Sequence, residues 1–478
     1  MFHSFKASGD SPLYTQLAEY IKRQIEKSEI HAGERLPSVR QMASETGLSK
    51  NTVSSAVAQL EAEGYISIEE KKRPVVLWRK STMNSPDWYD YLNKSRHMPT
   101  ANTYQAVSTK RGRSNLINAY EVRLGQDFYP GELMQKVLNK VSLRVKDIYH
   151  QSYFDLKGIS WVREAVCQHL RRYNIHADSS QVLMSQGPLN SMDMITQGLL
   201  GHGMKVFLPV PNTLSHLKIF NSSGFNVVGI PQDEEGIRPD ILDSKTRGAK
   251  GILHVNTVSY WPNSATMSEK RIKEVLEVCV KNKIPVMESD MMREYGAEAP
   301  PAMPMKSYDT TGNVIYICTF TRPLIPGLRV SAIVGPEIVI NKLSDIRLQT
   351  DWAMDSVSQL IMGELIASGL LYEYTDQLRP LLAERLEKAD ALMHRYFDGL
   401  ATWEKNRYGL NFWLVFDKSV DTSRLDTASS GILISPGSIY GEEYKHCLWL
   451  CYAGVSLNEF EQILSVISNA VYNLRVSD

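Results

Sequence analysis

Between Val182 and Gly335 seven short β-branched runs alternate with stretches of helical period, and this alternation limits the fold more than any other feature of the chain. The runs are Val182–Ser185, Val206–Val210, Val227–Ile230, Gly251–Val255, Pro285–Glu288, Val314–Cys318 and Ala332–Gly335, with helices such as Ser268–Val280 between them. Such alternation predicts an α/β domain built on a mostly parallel sheet. Ligands in these folds collect at the carboxyl ends of the strands. Ser185, Gly187, Asp290, Thr319 and Thr321 all lie at or just past such ends. From about residue 370 the pattern changes to a long helix, Pro380–Tyr396, the strands Phe412–Phe416, Ile432–Ser435 and Leu448–Tyr452, and a last helix, Leu457–Leu474. Residues 114–478 therefore read as one large domain whose end, about 370–478, is a smaller α+β lobe.

Within that domain the stretch GNVIYICTFTRPLIPGLR, residues 312–329, joins a strand to a loop with Thr319 and Thr321 and closes on Pro326, Gly327 and Arg329. Loop hydroxyls, loop amides and a guanidinium fork suit a phosphate, so the stretch is a candidate anion cradle. Arg322 adds a second cation at its centre.

The N-terminal residues have another character. Leu13, Leu17, Ile21 and Ile25 recur at helical spacing; Ser38 opens a second helix with Gln41 three residues on, a capping-box pattern; Ser49 opens a third, with Val53, Ala56, Val57 and Leu60 on one side. Gly47 separates the second from the third, which predicts a helix-turn-helix. Tyr65, Ile66 and Ile68, a polar turn over residues 69–73 and a return from Pro74 to Leu77 predict a wing. Residues 1–80 hold 12 Lys and Arg against 10 Asp and Glu, only mildly basic. The positive charges fall where DNA needs them: Arg40 in the second helix, Lys50 in the third, and Lys71, Lys72 and Arg73 at the wing tip. Phosphate contacts set the register while Ser49, Lys50, Asn51 and Thr52 are placed to reach base edges in a major groove. Residues 79–113, polar, proline-bearing and ending in Lys110, Arg111 and Arg113, read as a linker that follows a DNA-binding domain of residues 1–78.

Composition removes several classes. Across 478 residues the formal net charge is zero, so any nucleic-acid site is local. The five cysteines, Cys167, Cys279, Cys318, Cys447 and Cys451, have no paired metal spacing and read as reduced thiols. The first residues, MFHSFKASGD, carry no apolar signal region, and no run approaches the roughly 18 apolar residues of a membrane span. A cytoplasmic protein is expected.

Residues 34–66, ERLPSVRQMASETGLSKNTVSSAVAQLEAEGYI, closely resemble the winged helix-turn-helix of the GntR family of bacterial regulators, including Leu36-Pro37-Ser38-x-Arg40 and Ser49-x-Asn51-Thr52-Val53. The wing departs from the family, with KKRPVV in place of a glycine-rich turn. The large domain resembles the fold-type I aminotransferases, through Phe154 to Gly158, Ser185-Gln186-Gly187, Pro262-Asn263-Ser264, Glu288-Ser289-Asp290 and Tyr316 to Arg329. Together the two parts resemble the MocR subfamily, in which an aminotransferase-like domain serves as the sensor of a transcription factor. The resemblance implies double-stranded DNA as partner, a homodimer that reads two half-sites, and a pocket related to that of pyridoxal 5'-phosphate.

The same resemblance assigns residues. Asp290 falls where the family pairs a carboxylate with the pyridine nitrogen, and Arg329 where it binds the phosphate, with Thr319, Thr321 and the amides near Gly187 to Leu189 as companions. Arg322 falls at the Schiff-base lysine, and a guanidinium cannot serve as that amine. Met291 and Met292, Ser259 and Tyr260, and Trp449 replace further family residues around the same pocket. The expectation is a regulator whose aminotransferase-like domain is not an enzyme. Its pocket would take a small anionic effector, or pyridoxal phosphate only non-covalently. The competing readings are a pyridoxal-phosphate-dependent aminotransferase with an accessory DNA-binding head, and a pure interaction protein.

Overall fold

The computed structural model describes residues 2, 5, 12–26, 29–31, 33–68, 73–77, 117–144, 155–212, 220, 224–320, 325, 327–350, 352–425, 427 and 430–477. The chain divides into two compact units, Met1–Arg96 and His97–Asp478. The linker of residues 79–113, with its Lys110, Arg111 and Arg113, lies outside the described residues, as do Lys71, Lys72, Thr321 and Arg322.

The first unit holds three helices, α1 (Leu13–Glu26), α2 (Val39–Thr46) and α3 (Lys50–Ala62), and a two-stranded antiparallel ribbon of β1 (Ile66–Ser67) and β2 (Val75–Val76). Ser38 caps α2, its Oγ accepting from Gln41 N at 3.2 Å. Among the described residues no bond from the Ser38 N–H to the Gln41 side chain completes the expected capping box; Gln41 Nε2 donates to Glu45 at 3.2 Å. Gly47 ends α2 at φ 72°, a left-handed conformation that glycine adopts without a Cβ penalty. Leu17, Ile21, Met42, Val53, Val57, Leu60 and Val76 form one core, and Phe2, ahead of the first periodic segment, is sealed into it.

The second unit is organised by an eight-stranded sheet. Its strands are β4 (Val182–Ser185), β5 (Lys205–Val210), β6 (Asn226–Asp233), β7 (Gly236–Ile237), β8 (Gly251–Val255), β9 (Val286–Asp290), β10 (Val314–Thr319) and β11 (Ser331–Val334); β3 (Ile117–Asn118) lies outside it, pairing with a later strand. The order is β4-β11-β10-β9-β8-β5-β6-β7. The middle, β10-β9-β8-β5-β6, is parallel, while β11 runs antiparallel to both neighbours and β7 to β6. The expected α/β sheet is therefore present, with every expected run in it.

Helices cover both faces. On one, α6 (Pro188–Leu199) and α9 (Glu337–Thr350) pack Met192, Ile195, Ile340 and Leu343 against Leu183, Met287, Ile315, Ile317 and Ile333. On the other, α5 (Ser160–Arg171) and α10 (Ser356–Ala367) join a core with Tyr316 and Cys318, and α7 (Pro239–Thr246) and α8 (Glu269–Lys281) one with Val286 and Val314. One further helix, α4 (Gly131–Leu143), precedes α5.

The lobe after residue 369 opens with α11 (Leu370–Phe397). The expected start at Pro380, a residue favoured in a first helical turn, is ten residues late. Pro380 lies on an exposed position within the helix, and Leu371, Tyr374 and Leu378 already anchor the preceding turns in the core. Four antiparallel strands follow in the order β12-β13-β16-β15: β12 (Ala401–Trp403), β13 (Asn411–Phe416), β15 (Ser435–Pro436) and β16 (Cys447–Cys451). The short β14 (Ile432–Leu433) pairs with β3, and α12 (Leu457–Ser477) closes the chain. Among the described residues no helix is long and apolar enough to cross a membrane.

Candidate functional site

In the first unit the candidate surface is the start of α3. Its apolar stripe of Val53, Ala56, Val57 and Leu60 is buried, which leaves Lys50 and Asn51 exposed on the opposite side. Ser49 and Thr52 serve the helix itself: Ser49 Oγ accepts from Thr52 N at 3.1 Å and lies 2.8 Å from Thr52 Oγ1. Arg40 is exposed on the first turn of α2, and Arg73 is exposed just before β2.

In the second unit the strands position two groups of side chains. Gly187 precedes α6 at φ 87°, and a Cβ built there would lie 2.8 Å from Arg329 Nη2. The positive φ favours glycine here, and a side chain would require the end of the Arg329 guanidinium to shift. Arg329 is exposed, and Thr319 Oγ1 lies 3.1 Å from Ser331 Oγ where β10 and β11 pair. The structure brings Gly187, Arg329 and the first turn of α6 together, the residues expected to cradle an anion, and a cation and a helix end both favour negative charge. Pro188, the first residue of α6, has no N–H, so one of the amides expected near Gly187 to Leu189 is missing.

Asp290, at the end of β9, borders the same small void as Thr319. Successive side chains of a strand point to opposite faces. Met287 lies in the core under α6 and α9, and Ser289 accompanies it: His254 Nε2 is 3.4 Å from Ser289 Oγ. Glu288 and Asp290 face the other way. Asp290 Oδ2 accepts from Arg293 Nε at 2.5 Å and from Tyr316 OH at 3.0 Å. Arg293 also donates to Ala302 O at 2.7 Å. Burial alone disfavours the Arg293 charge, but Asp290 more than offsets it, so the guanidinium is held charged more firmly than usual. Glu288 accepts from Thr257 Oγ1, Met305 N and Lys306 N at 2.8–2.9 Å. Burial, and then the neighbouring Asp290, push its carboxyl up to about 7.

Asp290, Thr319, His169, Glu294, Tyr316 and Phe320 border a void of about 10 Å³, roughly the volume of one water. Asp290 Oδ1 has no hydrogen-bond partner among the described residues. The residues thus fit a phosphate or another small anion at Gly187 and Arg329. Arg293 and Tyr316 take up Asp290 Oδ2, which leaves Oδ1 as the oxygen able to accept from a protonated ring nitrogen. His254, Ser289 and Arg293 were not singled out in the sequence, although the two-residue period of β9 separates 289 from 290.

Trp449, in the centre of β16, is fully buried and packs against Trp261 with ring centroids 5.4 Å apart. Bulky aromatic packing fills this position.

A helix-turn-helix with a wing, joined to a doubly covered α/β domain and a small lobe, defines a DNA-binding regulator with an aminotransferase-like domain. Residues 121–467 match the family Aminotransferase class I and II, and residues 13–76 match the bacterial regulatory proteins of the gntR family. The chain is 33% identical to the HTH-type transcriptional regulator YdfD of Bacillus subtilis (strain 168), over 94% of each chain. It is 22% identical to the HTH-type transcriptional regulator NorG of Staphylococcus aureus, over 86% of this chain and 93% of NorG. Among solved structures it is similar to kynurenine aminotransferase of Pyrococcus horikoshii, with TM-score 0.75 and 22% identity over 82% of this chain and 99% of that one. A second is LysN, the α-aminoadipate aminotransferase of Thermus thermophilus, with TM-score 0.73 and 18% identity over 82% of this chain and 100% of that one. The chain belongs to the class I and II aminotransferase family, in the branch that carries a gntR-type helix-turn-helix.

Proposed function

We propose that this regulator reads its operator through Lys50, Asn51, Arg40 and the wing residues Lys71, Lys72 and Arg73, and that its aminotransferase-like domain senses an anion instead of catalysing transamination. The observation that carries the second part is a residue identity: position 322, which the aminotransferase resemblance aligns with the Schiff-base lysine, is an arginine. A guanidinium stays protonated and has no free amine for Schiff-base formation. The aromatic Trp449 in β16 supports the same reading. Pyridoxal phosphate, if held, would be held non-covalently by its phosphate at Gly187 and Arg329, with the hydroxyls of Thr319 and Thr321 as further donors.

The fold of this domain supports a homodimer, whose two heads would address two half-sites. Control by an effector then requires that the anion bind DNA-competent and DNA-incompetent arrangements unequally. The test is a paired titration of the wild type and Arg322→Lys with pyridoxal phosphate, followed by absorbance. An imine band is expected only in the lysine variant. A band in the wild type would show that another lysine has taken the role, and the domain would be an enzyme candidate again.

A further inference from the structure

The head contains its own statement about which bases it can read. Helix α3 buries Val53, Ala56, Val57 and Leu60, and the exposed face opposite carries Lys50, Asn51, Ser54, Ser55 and Ala58. Ser49 and Thr52 are partly engaged by the hydrogen bonds that cap the helix. At the far end Glu61 is also engaged, its Oε1 accepting from Ile68 N at 3.0 Å. The surface fully available to a groove is therefore one cation, one carboxamide, two short hydroxyls and a methyl group.

These groups are not neutral between base pairs. A carboxamide offers one donor and one acceptor in fixed geometry and matches adenine N6 and N7, while apolar carbons pack on the thymine methyl. A guanine contact of the bidentate kind is made by arginine or lysine. No arginine lies on the exposed face of α3, and Lys50, its first residue, is exposed one position before Asn51. A strongly hydrated ammonium there is suited to a phosphate. Ser54, Ser55 and Ala58 are all short, so the helix can approach the groove floor closely enough for Asn51 to reach a base edge.

Resting on the DNA-binding function of the head, we propose that each half-site is centred on A·T pairs, with Asn51 specifying one adenine and Ala58 packing on a thymine methyl group. Ser54 and Lys50 complete the contact, the first without strong base preference and the second through phosphate.

The experiment selects duplexes from a random-sequence pool with the full-length protein, then measures affinities of variants for the selected duplex. Asn51→Ala is expected to weaken binding about 5- to 150-fold, the range of one bidentate base contact, and to erase preference at a single A·T position. Replacing that adenine by 7-deazaadenine, which lacks the N7 acceptor, is expected to weaken the wild type and leave Asn51→Ala unaffected. Lys50→Ala is expected to weaken all duplexes alike and lower the salt slope by about 1. A G·C-centred consensus would overturn the assignment, as would an Asn51→Ala variant that keeps the wild-type preference. Salt-dependent binding with no preference among duplexes would overturn it while sparing the DNA-binding function; no binding to any duplex would sink both. Asn51 is exposed, so unchanged thermal unfolding of its variant separates lost contact from lost fold.

Discussion

Arg293 and Asp290 form an ion pair of 2.5 Å, three residues apart and both 6% exposed, at the carboxyl end of β9. A pair this deep gains attraction at the cost of desolvating both partners, so its net value is small compared with the cost of breaking it. Arg293→Ala would leave a buried carboxylate with only Tyr316 OH as donor. It is expected to lower stability by about 3–5 kcal/mol in denaturant unfolding. The double variant Asp290→Asn, Arg293→Met is expected to lose less than Arg293→Ala alone. A larger loss in the double variant would mean that the pair itself, and not the compensation of a buried charge, stabilises this region.

That pair also marks how far the sequence could be read. The sheet was legible because its strands are β-branched runs at regular distance, and all seven expected runs are in it. The helix-turn-helix was legible because Ser38, Gly47 and Ser49 punctuate it at the positions where caps are found. What failed was finer than an element. Motif position places Asp290 at the strand end but does not show that Arg293 takes up one of its oxygens. The seating of Phe2 in the head core has no periodic signal, and Pro380 suggested a helix start because a proline's preferred position cannot by itself show that packing further upstream holds the helix.

Gly187 tests the cradle. Its φ of 87° strains any side chain, and the nearest atom to an added Cβ is Arg329 Nη2 at 2.8 Å. Gly187→Ala is expected to displace the guanidinium and lower affinity for inorganic phosphate by at least about tenfold, the equivalent of roughly 1.4 kcal/mol. Arg329→Ala should do the same without the backbone strain, which isothermal titration of both variants would show. Equal phosphate binding in wild type and Arg329→Ala would remove this arginine from the site.

Two buried histidines and one buried glutamate set opposing pH trends. His169 is pushed down to about 3, by burial first and then by the charge of Arg172, and His254 to about 4 by burial. Their unfolded values are near 6.5, so the unfolded chain binds more protons below that pH; their contribution is complete above 6.5 and is lost as pH falls. Glu288, raised to about 7, acts in the other direction, since the folded state holds a proton that the unfolded chain releases above about 4.5. Glu294, raised by burial, acts in the same sense as Glu288. Stability is therefore expected to change little between pH 7 and 5 and to fall steeply below about 4.5, where the two glutamates no longer oppose the histidines and carboxylates held below their usual range, such as Glu45 and Asp243, begin to take up protons. Glu288→Gln should expose a clear decline between pH 7 and 5, read as the urea midpoint at constant ionic strength. An unchanged profile in that variant would show that Glu288 does not titrate there.

In the head, Lys22 joins α1 to the end of α3. Its Nζ lies 2.8 Å from Glu19, is paired with Glu63, and stands 5.4 Å from the ring of Tyr65. Burial disfavours its charge, but the two carboxylates more than offset this and raise its pKa, so the contribution is present below the unfolded value near 10.5 and is lost only as pH rises through the folded one. Glu19 and Glu63 are more than a third exposed on their side chains, 50% and 35%, which screens the attraction. Lys22→Met keeps the apolar stem and removes the charge, and is expected to cost about 1 kcal/mol. Because the bridge ties the helix that presents Asn51 to the rest of the head, the loss should show as faster amide exchange in α1 and α3 of the full-length protein. Added salt at about 1 M should reduce the difference between wild type and variant, since screening acts on exposed carboxylates. A difference that survives high salt would assign the effect to packing of the lysine stem against Tyr65 instead of to charge.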